Sequence, residues 1–387
     1  MNVTRARPQF GAAGLVVLAA VAASCGSAPS ASPAALDTVI LPVPDAVLDS
    51  WAMNAVRWSP DGGRLVVELQ DQLVASGRLA VLAADGGRIA DLAGNEAAWI
   101  DDETLVVRAN DPDRFEGPVW VVTPGDARVQ PWRIAEGAAW LLAGPRGVNA
   151  VDAGAVGPDE SFRLLLGRTL GPEVHGRGWP VAFSADGSRL LVEHAANSAQ
   201  GISLASTGSP ELGWVEVLTV PGLERVAAFR EPLVERRLPA ELDAKGRYAA
   251  ASAGSGEATV VFGVDDGSVT SVAGPCCPGG WLATGELVAG PFAEGPIVLI
   301  DVATGQARQV AQGSRVTASP GDTVAVATGD RGKTLLILRG DRVLARAGFP
   351  ATIRGMSWRP DGGTLAVTIR GDDPPERLIL LPVPDLP

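Results

Sequence analysis

Apolar residues along this chain fall in short runs of four to seven, mostly Val, Leu and Ala, bounded by Gly, Pro and Asp. Runs of that length between turn formers predict short β-strands. Beyond the first two dozen residues no segment holds a long 3.6-residue period, so helix is expected to be scarce.

The runs recur behind a common preface. Arg57-Trp58-Ser59-Pro60-Asp61-Gly62-Gly63 leads into Arg64-Leu65-Val66-Val67-Glu68, and Ala182-Phe183-Ser184-Ala185-Asp186-Gly187-Ser188 into Arg189-Leu190-Leu191-Val192-Glu193. Ser357-Trp358-Arg359-Pro360-Asp361-Gly362-Gly363 leads into Thr364-Leu365-Ala366-Val367-Thr368. Weaker copies stand at Trp99 and at Ser319-Pro320-Gly321-Asp322. Counting the anchor before each turn, the units centre on Trp58, Trp99, Trp140, Phe183, Leu242, Trp281, Ala318 and Trp358. The spacings are 41, 41, 43, 59, 39, 37 and 40 residues, so six match one four-stranded blade and the 59 is a blade with an insertion.

These observations predict an all-β fold, a β-propeller of four-stranded antiparallel blades. Eight blades are expected, or seven if the Trp140 unit is not a true blade. In each unit the anchor fills the gap between neighbouring blades, the Asp accepts backbone N–H bonds and the Gly supplies a positive φ. Third strands follow, as at Arg78–Leu82 and Leu335–Leu338, and the last unit has little chain left for a fourth. A strand near residues 38–44 is expected to supply it and close the ring. The set of anchors, Pro-Asp-Gly turns and strands resembles the TolB-type, WD40-like (PD40) propeller repeat across nearly all of residues 38–387.

Composition adds an address and removes a class of partner. Net charge is −12, moving to −14 if Arg5 and Arg7 leave with a signal peptide. A surface that acidic repels phosphate backbones, so nucleic acid is not an expected partner. Arg5 and Arg7 precede an apolar stretch over residues 11–23, too short to span a membrane. The stretch ends Val21-Ala22-Ala23-Ser24-Cys25-Gly26, which resembles a bacterial lipobox with Cys25 as the lipidated residue, although Ala22 stands where Leu is usual. The expected organisation is a signal peptide over 1–24, a flexible tether over 25–37 and one propeller over 38–387. The expected product is an exported, lipid-anchored monomer, held to the membrane through Cys25.

Strands of a blade alternate in direction, so the Asp-Gly turns share one face and the crossings between blades share the other. Longer loops gather on the crossing face, which is therefore the expected binding face. Its candidates are Trp51 in the crossing near 46–52, and His175 and Arg177 in the crossing over 171–177. Arg230, Arg236 and Arg237 lie in an expected inserted loop over 229–239, and Asp111 and Asp113 in a second-to-third-strand loop. Cys276-Cys277 sits between Pro275 and Pro278. Neighbouring Cα atoms lie about 3.8 Å apart, under the usual disulfide span of about 4.4–6.8 Å, so geometry opposes a bond that an oxidising compartment would favour.

Catalytic signatures are sparse. No G-x-S-x-G elbow is present, His175 and His194 are the two histidines, and no metal-ligand spacing is apparent. His194 reads as core or rim, and no cofactor or metal is expected. The favoured reading is a propeller that binds an envelope protein or other ligand through its loop face. The alternative is a propeller-type hydrolase or lyase acting on a small molecule or glycan with acids and arginines over the channel.

Overall fold

The computed structural model describes residues 38–387 except 51–52, 71–76, 110–116, 126–131, 136–139, 153–160, 176–177, 196–211, 236–237, 255, 292, 372–375 and 385–387. These residues build eight antiparallel sheets in chain order, with two 3₁₀ turns and no α-helix among them. The inner strands are Met53–Trp58, Glu96–Trp99, Trp140–Ala143, Trp179–Phe183, Glu241–Leu242, Cys277–Trp281, Arg315–Ala318 and Thr352–Trp358. Each contacts the next, and the last contacts the first, so the molecule is an eight-bladed propeller and the Trp140 unit is a true blade.

The continuous apolar runs follow from burial on both faces. In the second strand of blade 1, Leu65 and Val67 pack into the cluster shared with blade 8, while Val66 between them packs into the cluster shared with blade 2. A strand whose neighbours on either side are other sheets must be apolar at odd and even positions alike. Each of the eight blade-to-blade seams has its own apolar cluster of this kind.

Closure is as expected in kind but not in place. Leu48–Ser50 pairs antiparallel with Glu376–Pro382 and completes blade 8, with Leu48 opposite Leu378. Val39–Ile40 instead runs parallel to Arg342–Gly348 as a fifth strand on blade 7. Pro42 and Pro44 explain the shift. They have no N–H to give a ladder, so the closing strand forms only beyond them.

Two other expectations are corrected. The segment over 229–239 is a loop only in part: Phe229 pairs with Val215, and Val234 and Glu235 pair with Gly213 and Leu212, as the outer strand of blade 4, while residues 230–233 bulge out of the ladder opposite Trp214. The extra length of that blade falls between its second and third strands, which end at Ala195 and resume at Leu212. In the crossing over 171–177, Val174–His175 pairs with Ser161 and Phe162 as an edge strand of blade 3.

Candidate functional site

On one face, the repeated Asp-Gly turns are occupied by their own backbone. Asp61 accepts from Gly63 N at 2.8 Å and Ser59 Oγ at 2.6 Å; Asp186 and Asp361 accept from Ser188 N at 2.9 Å and Gly363 N at 2.8 Å. The following glycines take φ of 72°, 73° and 74° at Gly62, Gly187 and Gly362. The Ser59 hydrogen bond leads the effects that hold the Asp61 carboxyl below its usual range, against a smaller opposing push from burial. These acids are turn formers, as the motif predicts.

On the crossing face the expected candidates separate. Cys25, Trp51, Asp111, Asp113, Arg177, Arg236 and Arg237 lie outside the described residues, and for His175 only the backbone is described. Cys277 is not in a loop: it opens the inner strand Cys277–Trp281, with buried Cys276 just before it. The sulfurs of Cys276 and Cys277 lie 2.6 Å apart. Arg230 projects from the outer strand of blade 4, its guanidinium 4.9 Å from the centre of Trp214. Trp214 is stacked on His194 at 3.8 Å, and His194 Nε2 meets Glu216 Oε2 at 2.8 Å. Burial pushes the Glu216 carboxyl up, but hydrogen bonds from His194 and Arg225 outweigh it and hold it below its usual range. His194 is thus a rim residue in a satisfied network, as its place at a strand end suggests.

What sequence reasoning missed lies where the ring closes. A cleft of about 260 Å³ opens between the inner strands of blades 8 and 1, lined by Met53, Asn54, Ala55, Val56, Gly355, Met356, Ser357, Ala366 and Thr368. The chain has three methionines, and the two after Met1 both line this cleft, Met53 packing towards the seam of blades 8 and 1 and Met356 towards that of blades 7 and 8. Trp51 lies two residues before the first lining residue. The scarcity of Met was the available signal, but only closure of the ring puts positions 53 and 356 together.

The walls of the cleft are pinned. Trp58 Nε1 donates to Ser357 O at 3.1 Å, and Met53 N donates to the buried carboxylate of Glu376 at 2.7 Å. The same indole-to-previous-blade bond recurs as Trp99 Nε1 to Arg57 O at 3.0 Å and Trp358 Nε1 to Thr317 O at 3.4 Å. Trp58, Trp99 and Trp358 therefore fill their seams and also tie their own inner strands to the preceding ones, whereas the indole N–H of the anchor Trp281 has no partner among the described residues.

Charge on the channel wall is uneven. Arg57 bonds Glu68 and Ala97 O, and Arg108 forms a two-point pair with Glu96 at 3.0 Å and 3.0 Å. Arg315 and Arg354, on the touching inner strands of blades 7 and 8, have no hydrogen bond or ion pair among the described residues. Burial first, and then the charge of Arg354, lower the pKa of Arg315. Glu241, on the inner strand of blade 5, still meets water but is ringed by protein; burial pushes its carboxyl up to about 7. Among the described residues no group of three or more His, Cys, Asp or Glu could hold a metal ion.

No family model and no curated protein matches this chain. Solved structures match it as a fold. Sqt1 from Chaetomium thermophilum superposes with a TM-score of 0.59 at 13% identity, covering 89% of this chain and 100% of that one. The same protein bound to the N-terminus of ribosomal protein L10 gives 0.56 at 12% identity, covering 87% and 97%. The β-propeller domain of Cps50 (Swd1) from Myceliophteria thermophila gives 0.48 at 13% identity over 89% and 100%. These neighbours are WD40 β-propellers, and the likeness is one of fold.

Proposed function

We propose that this chain is an exported, lipid-anchored propeller of the TolB-like PD40 type that binds a protein partner at the bacterial cell envelope. The cleft between blades 8 and 1 carries the reading. Two methionines give part of the lining an adaptable apolar surface, of the kind used where a surface accepts an inserted side chain, beside the polar Asn54, Ser357 and Thr368. The pinned strands around it keep that lining preformed, so little ordering is needed on binding. Sqt1, which shares only its fold with this chain, was solved holding a chain terminus, so rings of this kind can take a peptide segment. The lipobox-like Val21–Cys25 and the low-complexity tether after it support the anchor.

The test is a pull-down from envelope extract with the full chain, identified by mass spectrometry, beside Asn54→Trp. Asn54 is exposed and lines the cleft, so the larger ring fills the opening without entering the core. One partner enriched by the native chain and lost with Asn54→Trp supports the reading; no partner, or one that the variant retains, overturns it. Labelling with palmitate that disappears in Cys25→Ala checks the anchor.

Glu241 favours a second reading, a hydrolase or lyase working inside the channel. A carboxyl with a pKa near 7 is protonated often enough at neutral pH to act as a general acid. Turnover of a sugar or lactone that vanishes in Glu241→Gln would establish it.

A further inference from the structure

The two unpaired arginines stand beside the methionine cleft. Arg354 immediately precedes Gly355, one of the lining residues, and it occupies a β-bulge: Ile353 pairs with Ile369 and Gly355 with Thr368, leaving no partner for the residue between. Asn54 stands in the matching bulge of blade 1, between Met53 opposite Leu69 and Ala55 opposite Glu68. Bulges re-aim a side chain away from the ladder, and they gather beside functional sites. Arg315 opens the adjoining inner strand, and both arginines are exposed. The chain carries 44 acids against 32 basic residues, so a carboxylate partner is not scarce. Arg108 and Arg163 each hold a glutamate at 3.0 Å and Arg339 holds Asp322 at 3.1 Å, whereas among the described residues these two neighbouring arginines hold no acid. The turn packed against the blade 8 inner strand carries Asp330 and Arg331 side by side and so adds no net charge.

We propose that Arg315 and Arg354 form an anion subsite for a carboxylate side chain of the partner, next to the apolar cleft that takes its neighbour. The partner segment would be acidic and apolar in alternation. Two planar guanidiniums can each present paired N–H donors to a carboxylate, and an incoming anion relieves their mutual repulsion. The inference rests on the protein-binding reading of the cleft and names the chemistry of its ligand.

The probes are fluorescein-labelled six-residue peptides of alternating Glu and Leu, or of alternating Lys and Leu, titrated with the full chain by anisotropy. At about 0.15 M salt the field of the whole acidic protein, which would attract the lysine peptide, is screened beyond about 8 Å. Expected are binding of the glutamate peptide, a lysine peptide at least about tenfold weaker, and a loss of about tenfold or more in Arg315→Gln/Arg354→Gln. The control is Arg342→Gln/Arg346→Gln, which removes the same charge from exposed positions on the outer strand of blade 7 and should shift binding by less than about twofold. Equal binding by the first double variant and the native chain would overturn the subsite, as would a preference for lysine or binding of neither peptide. Arginine-dependent peptide binding together with a failed pull-down leaves the subsite standing and removes only the protein partner. If free citrate competes fully under those conditions, the source of the carboxylate is a small acid.

Discussion

The channel wall carries two kinds of arginine. Around blades 1 to 3, Arg57 and Arg108 are sewn into the sheets: Glu68 and Glu96 take their charge, and Glu96 also accepts Leu141 N at 2.8 Å across the next seam. Around blades 7 and 8, Arg315 and Arg354 sit on inner strands, as Arg57 does but Arg108 on its second strand does not, and no acid pairs with them among the described residues. The first group is structural: the side chains of Arg108 and Glu96 are only 8% and 12% exposed, so each needs the other. The second group is exposed and contributes nothing visible to the ring. Within one repeated scaffold, the presence or absence of a neutralising glutamate separates residues that hold the blades from residues free to meet a ligand.

Breaking the first region should have the largest effect. Glu96→Ala removes the two-point partner of a buried guanidinium and the acceptor of Leu141 N, a loss expected near 3–5 kcal/mol. Urea unfolding measures it, and a cost under about 1 kcal/mol would refute the structural role.

Glu241 lies between the two regions and should give stability a pH dependence. Its carboxyl is raised from 4.5 to about 7, so the folded chain holds a proton that the unfolded chain releases across that window. Stability from this group is complete below about pH 4.5 and falls as pH rises through 7. Relative to Glu241→Gln, the native chain should lose less than about 1 kcal/mol by pH 5 and about 3 kcal/mol by pH 8. Thermal melts at the two pH values decide it; an identical slope in both proteins would discard the burial.

The indole ladder offers a smaller break. Trp99→Phe keeps the ring in its seam but removes the bond to Arg57 O, at an expected cost of about 1 kcal/mol in the same urea experiment, beyond any change in packing. Smallest of all is Arg315→Gln/Arg354→Gln. With no partner to lose, the double variant should lie within about 0.5 kcal/mol of the native chain. A large destabilisation there would erase the contrast between the regions.

Much of this architecture is legible along the chain because the repeat is local. Asp61, Asp186 and Asp361 bond within two residues of themselves, and each strand follows its turn directly, so motif and spacing predict turns, strands and eight blades without reference to the rest of the molecule. Places where the repeat is interrupted are read less well. The arginines and prolines over 229–239 suggest a loop, and residues 230–233 do bulge out, yet Phe229 on one side and Val234 and Glu235 on the other pair with the third strand of blade 4. Cys276-Cys277 between prolines also suggests a loop, but Cys277 already pairs with Gly290.

By itself, then, the sequence determined what depends on neighbours along the chain: the β class, the turn chemistry and a ring of eight or seven blades. Tertiary structure decided everything that needs the ring, including that the Trp140 unit is a true blade and that the apolar runs are buried on both faces. Met53 and Met356 come to line one cleft, Arg315 and Arg354 fall on touching strands, and Leu48–Ser50 rather than residues 38–44 closes blade 8, because closure brings together residues that lie tens or hundreds of positions apart. No local pattern encodes such pairings; they follow from the fixed geometry of eight sheets packed around one axis.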